Sequence, residues 1–277
     1  MNVIQNLRPL IGHTPMYEIT SYRLPTGVRL FAKLEFLNIG GSIKDRLGFY
    51  LIQEAIRKNQ LHEGDTLIEA TAGNTGIGLA LAAIHYKLNA IFVTPEKFSV
   101  EKQTLMRALG AEVINTPTEL GMKHAIKKAE ELAREIPNAY IPDQFNNGDN
   151  PNTYYHTLGP EIIADLDGKV NVFIAGAGSG GTFTGTARYL KENHSPIKTI
   201  IVEPEGSILN GGDPGPHKTE GIGMEFLPHF MNRNLFDEIY TISAERAFTR
   251  LSEIARPEGL LFGSYKRRNS QNQVQIL

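Results

Sequence analysis

The sequence predicts an α/β protein of two lobes, each a mostly parallel twisted sheet flanked by helices. Three observations carry that expectation. Short apolar runs alternate with segments of helical period along most of the chain, the pattern of strands covered on both faces. A polar, proline-bounded stretch at 142–151 separates two such alternations. The 277 residues suffice for one large or two modest domains.

Taken in order, an irregular start containing Gly12-His13-Thr14-Pro15 leads to a strand over 28–34 and a helix over 47–58, whose Leu47, Leu51, Ala55 and Ile56 recur at helical spacing. Strands follow at 67–70, 90–94 and 111–114, alternating with helices at 76–86, 100–109 and 121–135. The second alternation comprises a helix over 153–166, a strand at 170–175, a helix over 182–192 and a strand at 199–202. A Gly/Pro-rich stretch at 206–228 is irregular. A strand at 238–242, a helix over 244–255 capped by Ser243 and a strand at 259–262 complete the pattern.

Composition narrows the function. A formal charge of −2 with no long run of like charge argues against nucleic acid and anionic lipid as partners. The absence of cysteine removes disulfides, thiolate catalysis and cysteine-held metals. Eight histidines show no metal-ligand spacing, so no metal is expected. No segment reaches the roughly 18 apolar residues of a membrane span, and the first ten residues lack a signal-type apolar core. A cytoplasmic location is the expectation.

Chemistry concentrates in three loops, each placed before a helix. Gly40-Gly41-Ser42-Ile43-Lys44-Asp45-Arg46 sets Lys44 at a loop-to-helix junction, where a positive helix end lowers an amine's pKa and favours the neutral nucleophile of a Schiff-base lysine. Alone, this lysine reads first as a solvated cation after a glycine turn, and the other loops have to shift that reading. Asp45 and Arg46 read as plain first-turn helix residues. Thr71-Ala72-Gly73-Asn74-Thr75-Gly76 is either an anion trap of convergent N–H groups or a tight turn.

Gly176-Ala177-Gly178-Ser179-Gly180-Gly181-Thr182 offers four glycines and two hydroxyls to a phosphate. Its Gly176, Gly178 and Gly181 also satisfy a dinucleotide fingerprint with Glu203 as the ribose acid, so a nicotinamide-dependent oxidoreductase stands as an alternative. A phosphate-bearing aldehyde cofactor explains all three loops together. His13, His156 and His217 read as packing or surface residues.

From about Leu10 to Ser264 the chain resembles the cysteine synthase and cystathionine β-synthase family of pyridoxal-phosphate enzymes, fold type II, on G-G-S-I-K-D-R, T-A-G-N-T-G and G-S-G-G-T in register. Within it, T-A-G-N-T-G, Y-Y-H-T-L-G-P-E-I and E-P-E-G-S-I-L-N-G-G are most similar to the bacterial O-acetylserine-dependent cystathionine β-synthases.

The resemblance implies pyridoxal 5'-phosphate held by Lys44, Asn74 at its phenolic oxygen, and Gly178, Ser179, Gly180, Gly181 and Thr182 around its phosphate. Thr71, Ala72, Asn74, Thr75 and Gln144 would receive the substrate carboxylate, with Gly221 bordering the site. It implies β-replacement on O-acetylserine or serine through an aminoacrylate, with homocysteine giving cystathionine or sulfide giving cysteine. A homodimer is implied, with a larger, phosphate-binding lobe over 1–38 and 146–277 and a smaller one over 39–145.

The chain departs from the family after Gly263-Ser264. A serine-rich turn and helix belong there, yet Tyr265 falls at the position of the serine that bonds the pyridine nitrogen, leaving Ser264 for that part. The tail 265–277 lacks apolar period until Val274 and is expected to reflect a frameshift or premature end, which adds an inactive pseudo-enzyme as a third reading.

Overall fold

The computed structural model describes residues 3–261 apart from Ala72 and Ser195. Two compact units emerge. Leu37–Asn150 clusters with the N-terminal residues up to Gly12, and His13–Phe36 clusters with the chain from Pro151 onward. In the second unit β1 (Met16–Ile19), which the sequence expectation lacks because Met-Tyr-Glu-Ile carries no apolar run, pairs antiparallel with β2 (Leu30–Lys33), inside the strand expected at 28–34.

The first unit holds a parallel sheet of β3 (Thr66–Ala70), β4 (Asn89–Pro95), β5 (Glu112–Thr116) and the two-residue β6 (Ala139–Tyr140), in the order β5-β4-β3-β6. Around it run α1 (Lys44–Arg57), α2 (Asn74–Tyr86), α3 (Val100–Ala108) and α4 (Gly121–Glu135). Leu67 and Phe92 share a core with Phe49 and Ile52 of α1 and Leu79 and Ala82 of α2. Ile68, Ala70, Ile91 and Val93 pack on Ala125 and Ala129 of α4. Both faces of these strands are thus covered, which is why they read as continuous apolar runs.

Helices α1 and α2 cross with their backbones touching. A Cβ at Gly48 would fall on the Gly78 carbonyl, and one at Gly78 on the carbonyl of Lys44. Glycine at both places lets the two helix starts lie side by side, which fixes Lys44 against the first turns of α2.

The second unit carries a parallel sheet of β7 (Val172–Gly176), β8 (Lys198–Pro204) and β9 (Glu238–Ile242), with α5 (Asp149–His156), α6 (Leu158–Asp165), α7 (Gly181–Asn193) and α8 (Ala244–Glu258). Phe183 and Ala187 of α7 bury against Ala175, Ile201 and Phe236. Lys33, only 7% exposed, spends its ammonium on Asp165 at 2.6 Å, Glu161 at 3.1 Å and the Thr14 carbonyl at 2.6 Å.

Two expectations need correction. The single helix over 153–166 is two helices broken at Thr157, one turn ahead of Pro160, whose ring excludes the carbonyl at position 156 and which has no N–H to give it. At 259–261 no strand forms. α8 instead continues through Pro257 to Glu258 and closes on Gly259 at φ 67°; Phe262 lies outside the described residues.

Candidate active site

In the first unit the lysine loop is shaped from within. Asn38 accepts from the Gly41 amide through its carbonyl and from the Gly12 amide through Oδ1, both at 2.8 Å. Gly41 turns at φ 81°, and the chain enters α1 with the Lys44 amide 3.2 Å from Ser42 Oγ. Asp45 and Arg46 do lie in the first turn of α1, and both are buried there. Asp45 is fully buried and takes the Gly40 amide at 2.5 Å, and Arg46 is 3% exposed. The Lys44 residue is itself half-buried, yet burial of its amine pushes the pKa down from 10.5 to about 8. The cause is desolvation of the cation, where the sequence argument invoked the helix dipole.

Beside it lies the second loop. The Thr71 amide donates to the Val93 carbonyl, continuing the β3–β4 ladder, and the chain turns at Gly73 directly into α2 at Asn74, two residues earlier than apolar periodicity places it. Thr71 and Thr75 are buried and Asn74 is half-buried. Gln144, also buried, arrives from the segment after β6, where its Oε1 accepts from Thr75 Oγ1 at 2.8 Å. Lys44, the Thr71–Gly76 loop and Gln144 therefore share one end of the α1/α2 pair.

Sequence reasoning passes over the residues that hold Gln144. Asn150 Nδ2 donates to its carbonyl at 2.6 Å, and Glu69, in the interior of β3, takes the Asp143 amide at 3.0 Å. The signal for Glu69 is an acid inside the apolar run Leu67-Ile68-Glu69-Ala70.

In the second unit the glycine loop links β7 to α7. A Cβ at Gly178 would land on the Gly221 carbonyl, and Gly180, at φ 81°, would meet the Met231 sulfur. The Gly223 amide bonds the Ala177 carbonyl at 2.8 Å, so the 221–223 segment lies along the loop. Ser179 is buried, Gly181 opens the 13-residue α7, and Thr182 is half-buried in its first turn. N–H groups at such a helix start attract a phosphate.

Glu203 counts against the nicotinamide alternative. Its carboxylate is 1% exposed and accepts from the Leu209 and Asn210 amides at 3.0 Å and from Thr241 Oγ1 at 3.1 Å, so it is committed to a turn and not to a ribose. His217 backs Gly223 and bonds the Thr219 carbonyl at 2.8 Å, a packing role. Ala72, Ser264 and the tail from Tyr265 lie outside the described residues. Among those described, no helix is long and apolar enough to cross a membrane.

A family model described as pyridoxal-phosphate dependent enzyme matches residues 7–265. The chain belongs to this family. The O-acetylserine dependent cystathionine beta-synthase of Bacillus subtilis is 57% identical to this pyridoxal-phosphate dependent enzyme over 264 residues, 95% of this chain and 86% of that one. A cysteine synthase of Helicobacter pylori is 55% identical over 266 residues, 95% of this chain and 87% of that one. The crystal structure of an O-acetylserine dependent cystathionine beta-synthase from Helicobacter pylori matches with a TM-score of 0.90 at 55% identity, covering 95% and 87% of the two chains.

The residues present fit pyridoxal phosphate. The first unit offers an amine whose pKa desolvation brings down from 10.5 to about 8, within reach of the neutral form. The second offers a loop whose glycines stand so close to neighbouring backbone and side chains that no Cβ fits, at the start of a helix.

Proposed function

We propose that this enzyme replaces the β-substituent of O-acetylserine with a thiol, homocysteine giving cystathionine and sulfide giving cysteine. The observation that carries this reading is the desolvated amine of Lys44, set at the start of α1 beside the Thr71–Gly76 loop. In this reading Lys44 holds the cofactor's aldehyde carbon, Asn74 its phenolic oxygen, and Gly178, Ser179, Gly180, Gly181 and Thr182 its phosphate. Ser264 is assigned to the pyridine nitrogen. Thr71, Ala72, Asn74, Thr75 and Gln144 take the substrate carboxylate, and Gly221 borders the site.

When bound, pyridoxal phosphate supplies an aldehyde that joins amino groups and a conjugated ring that takes up the electron pair released at the substrate's Cα. The chain's own part is acid–base and positional. Lys44 Nζ, with its pKa brought down to about 8, is a base matched to the Cα proton at neutral pH. The Thr75–Gln144 pair fixes the carboxylate, which orients the Cα–H bond toward that amine. Acetate then leaves Cβ with the electron pair of the Cβ–O bond, the thiol sulfur bonds Cβ in its place as its proton passes to solvent, and Lys44 returns the proton to Cα.

Relatives that carry the cystathionine beta-synthase name favour homocysteine as acceptor, and the cysteine synthase name of a similarly close relative keeps sulfide as the second. A homodimer, a cytoplasmic location and the division into a phosphate-binding lobe and a carboxylate-binding lobe belong to the same proposal. Incubation of the purified protein with pyridoxal phosphate, O-acetylserine and equal homocysteine and sulfide tests it, with cystathionine as the expected main product. Absence of both thioether and cysteine would overturn it.

A further inference from the structure

We propose that Glu69 is a positioning residue for Gln144: from inside the sheet its carboxyl fixes the backbone at Asp143 and Gln144, so that the Gln144 amide meets Thr75 at the carboxylate loop. This rests on the carboxylate-binding reading of Thr75 and Gln144. Glu69 lies in β3, between β4 and β6, with Leu67 and Ile68 at 0% and Ala70 at 8% exposure around it and only 3% of its own surface exposed. A carboxyl in such a place is costly unless hydrogen-bonded.

Its hydrogen-bond partner is the amide of Asp143, at 3.0 Å, with the Gln144 amide near enough to favour the ionised form. Burial pushes its pKa up to about 8, and the two amides oppose that rise. The segment it holds turns sharply. Asp143 sits at φ 49°, in the left-handed region that Asp tolerates better than most side chains but that is still disfavoured over extended or helical backbone. The rest of Gln144 is tied elsewhere, its carbonyl to Asn150 Nδ2 at 2.6 Å and its Oε1 to Thr75 at 2.8 Å. Glu69 supplies the remaining tie, on the amide side. With Oε1 occupied by the Thr75 hydroxyl, the donor end of the Gln144 amide is the end that serves a carboxylate. A tilt of this backbone would withdraw that donor while leaving Lys44 in place.

The test is Glu69→Met, which keeps the length of the side chain but removes both oxygens, so that no acceptor is left for the backbone amide whether or not the carboxyl is protonated. The expected result is a KM for O-acetylserine raised about tenfold, the scale of one lost hydrogen bond to a charged group. The KM for the thiol and kcat should stay within about twofold, as for a loss of uniform binding. Amide hydrogen exchange at Asp143 and Gln144 should accelerate at least tenfold over that of Phe92 and Val93 in β4. Unchanged exchange and KM would overturn the role, as would a loss of kcat and both KM values in step with a lowered melting temperature. If Glu69→Met does not fold, Glu69→Asp, which keeps the carboxyl but shortens its reach, is read by the same criteria. The exchange measurement needs no turnover, so it reports on Glu69 even where the wild-type protein fails to make product and the function reading itself fails.

Discussion

Replacing Gly78 by alanine tests the placement of Lys44 against α2. The new methyl carbon would fall on the Lys44 carbonyl, 2.8 Å from its carbon and 3.1 Å from the Asp45 Cα. Since carbon pairs rest no closer than about 3.5 Å, the helices must part by roughly 1 Å. They cannot do so freely, because Leu47, Phe49 and Leu51 on α1 and Leu79 and Ala82 on α2 are buried to within 0% exposure. Such overpacking against backbone costs about 3 kcal/mol. Alanine's better helix propensity returns about 1 kcal/mol, leaving a net loss of about 2 kcal/mol. Thermal unfolding should show a midpoint lower by roughly 4–8 °C. A displacement of that size between Lys44 and the Thr71–Gly76 loop should also cut kcat/KM by about 10²-fold. Gly148, around which a Cβ meets nothing within 4 Å, is the control, and its alanine variant should match the wild type. A Gly78→Ala protein with unaltered midpoint and turnover would refute the close crossing.

Thr75→Val keeps the volume but removes the 2.8 Å bond to Gln144, so the KM for the amino-acid substrate should rise about tenfold while the cofactor's absorption stays. Gly178→Ala, blocked by the Gly221 carbonyl, should raise the dissociation constant of pyridoxal phosphate by at least about 10-fold in equilibrium dialysis, since the loop must open to admit it. Lys44→Met should stabilise the cofactor-free protein at pH 7. The amine's pKa is about 8 folded against 10.5 unfolded, so the unfolded chain binds more protons and stability rises with pH between those values. Below pH 8 the folded state therefore bears the deficit, and urea unfolding at pH 7 should recover about 1–3 kcal/mol in the variant.

Much of this arrangement is legible in the sequence, for reasons that differ from element to element. Helix α4 and strand β9 stand where the pattern places them because one is strongly amphipathic and the other is bounded by turn residues. Helix α1 begins three residues before its apolar pattern, at Lys44, because Asp45 and Arg46 are buried by polar partnerships that hydrophobic periodicity does not register. The glycine loops announce themselves by composition. The same composition allows a dinucleotide reading, and the structure counts against it through the two amides and the hydroxyl gathered on Glu203. Glu69 escapes because its role depends on Asp143 and Gln144, which lie over seventy residues along the chain and meet it only through the β3–β6 pairing.

The central claim is that Lys44 is the amine that holds pyridoxal phosphate. Borohydride reduction of the loaded protein, followed by proteolysis and mass spectrometry, tests it most directly. A single pyridoxyl-phosphate adduct on the peptide containing Lys44, lost in Lys44→Ala together with the cofactor's visible absorption, is the predicted result. An adduct on another lysine, or absorption that persists in Lys44→Ala, would contradict the account.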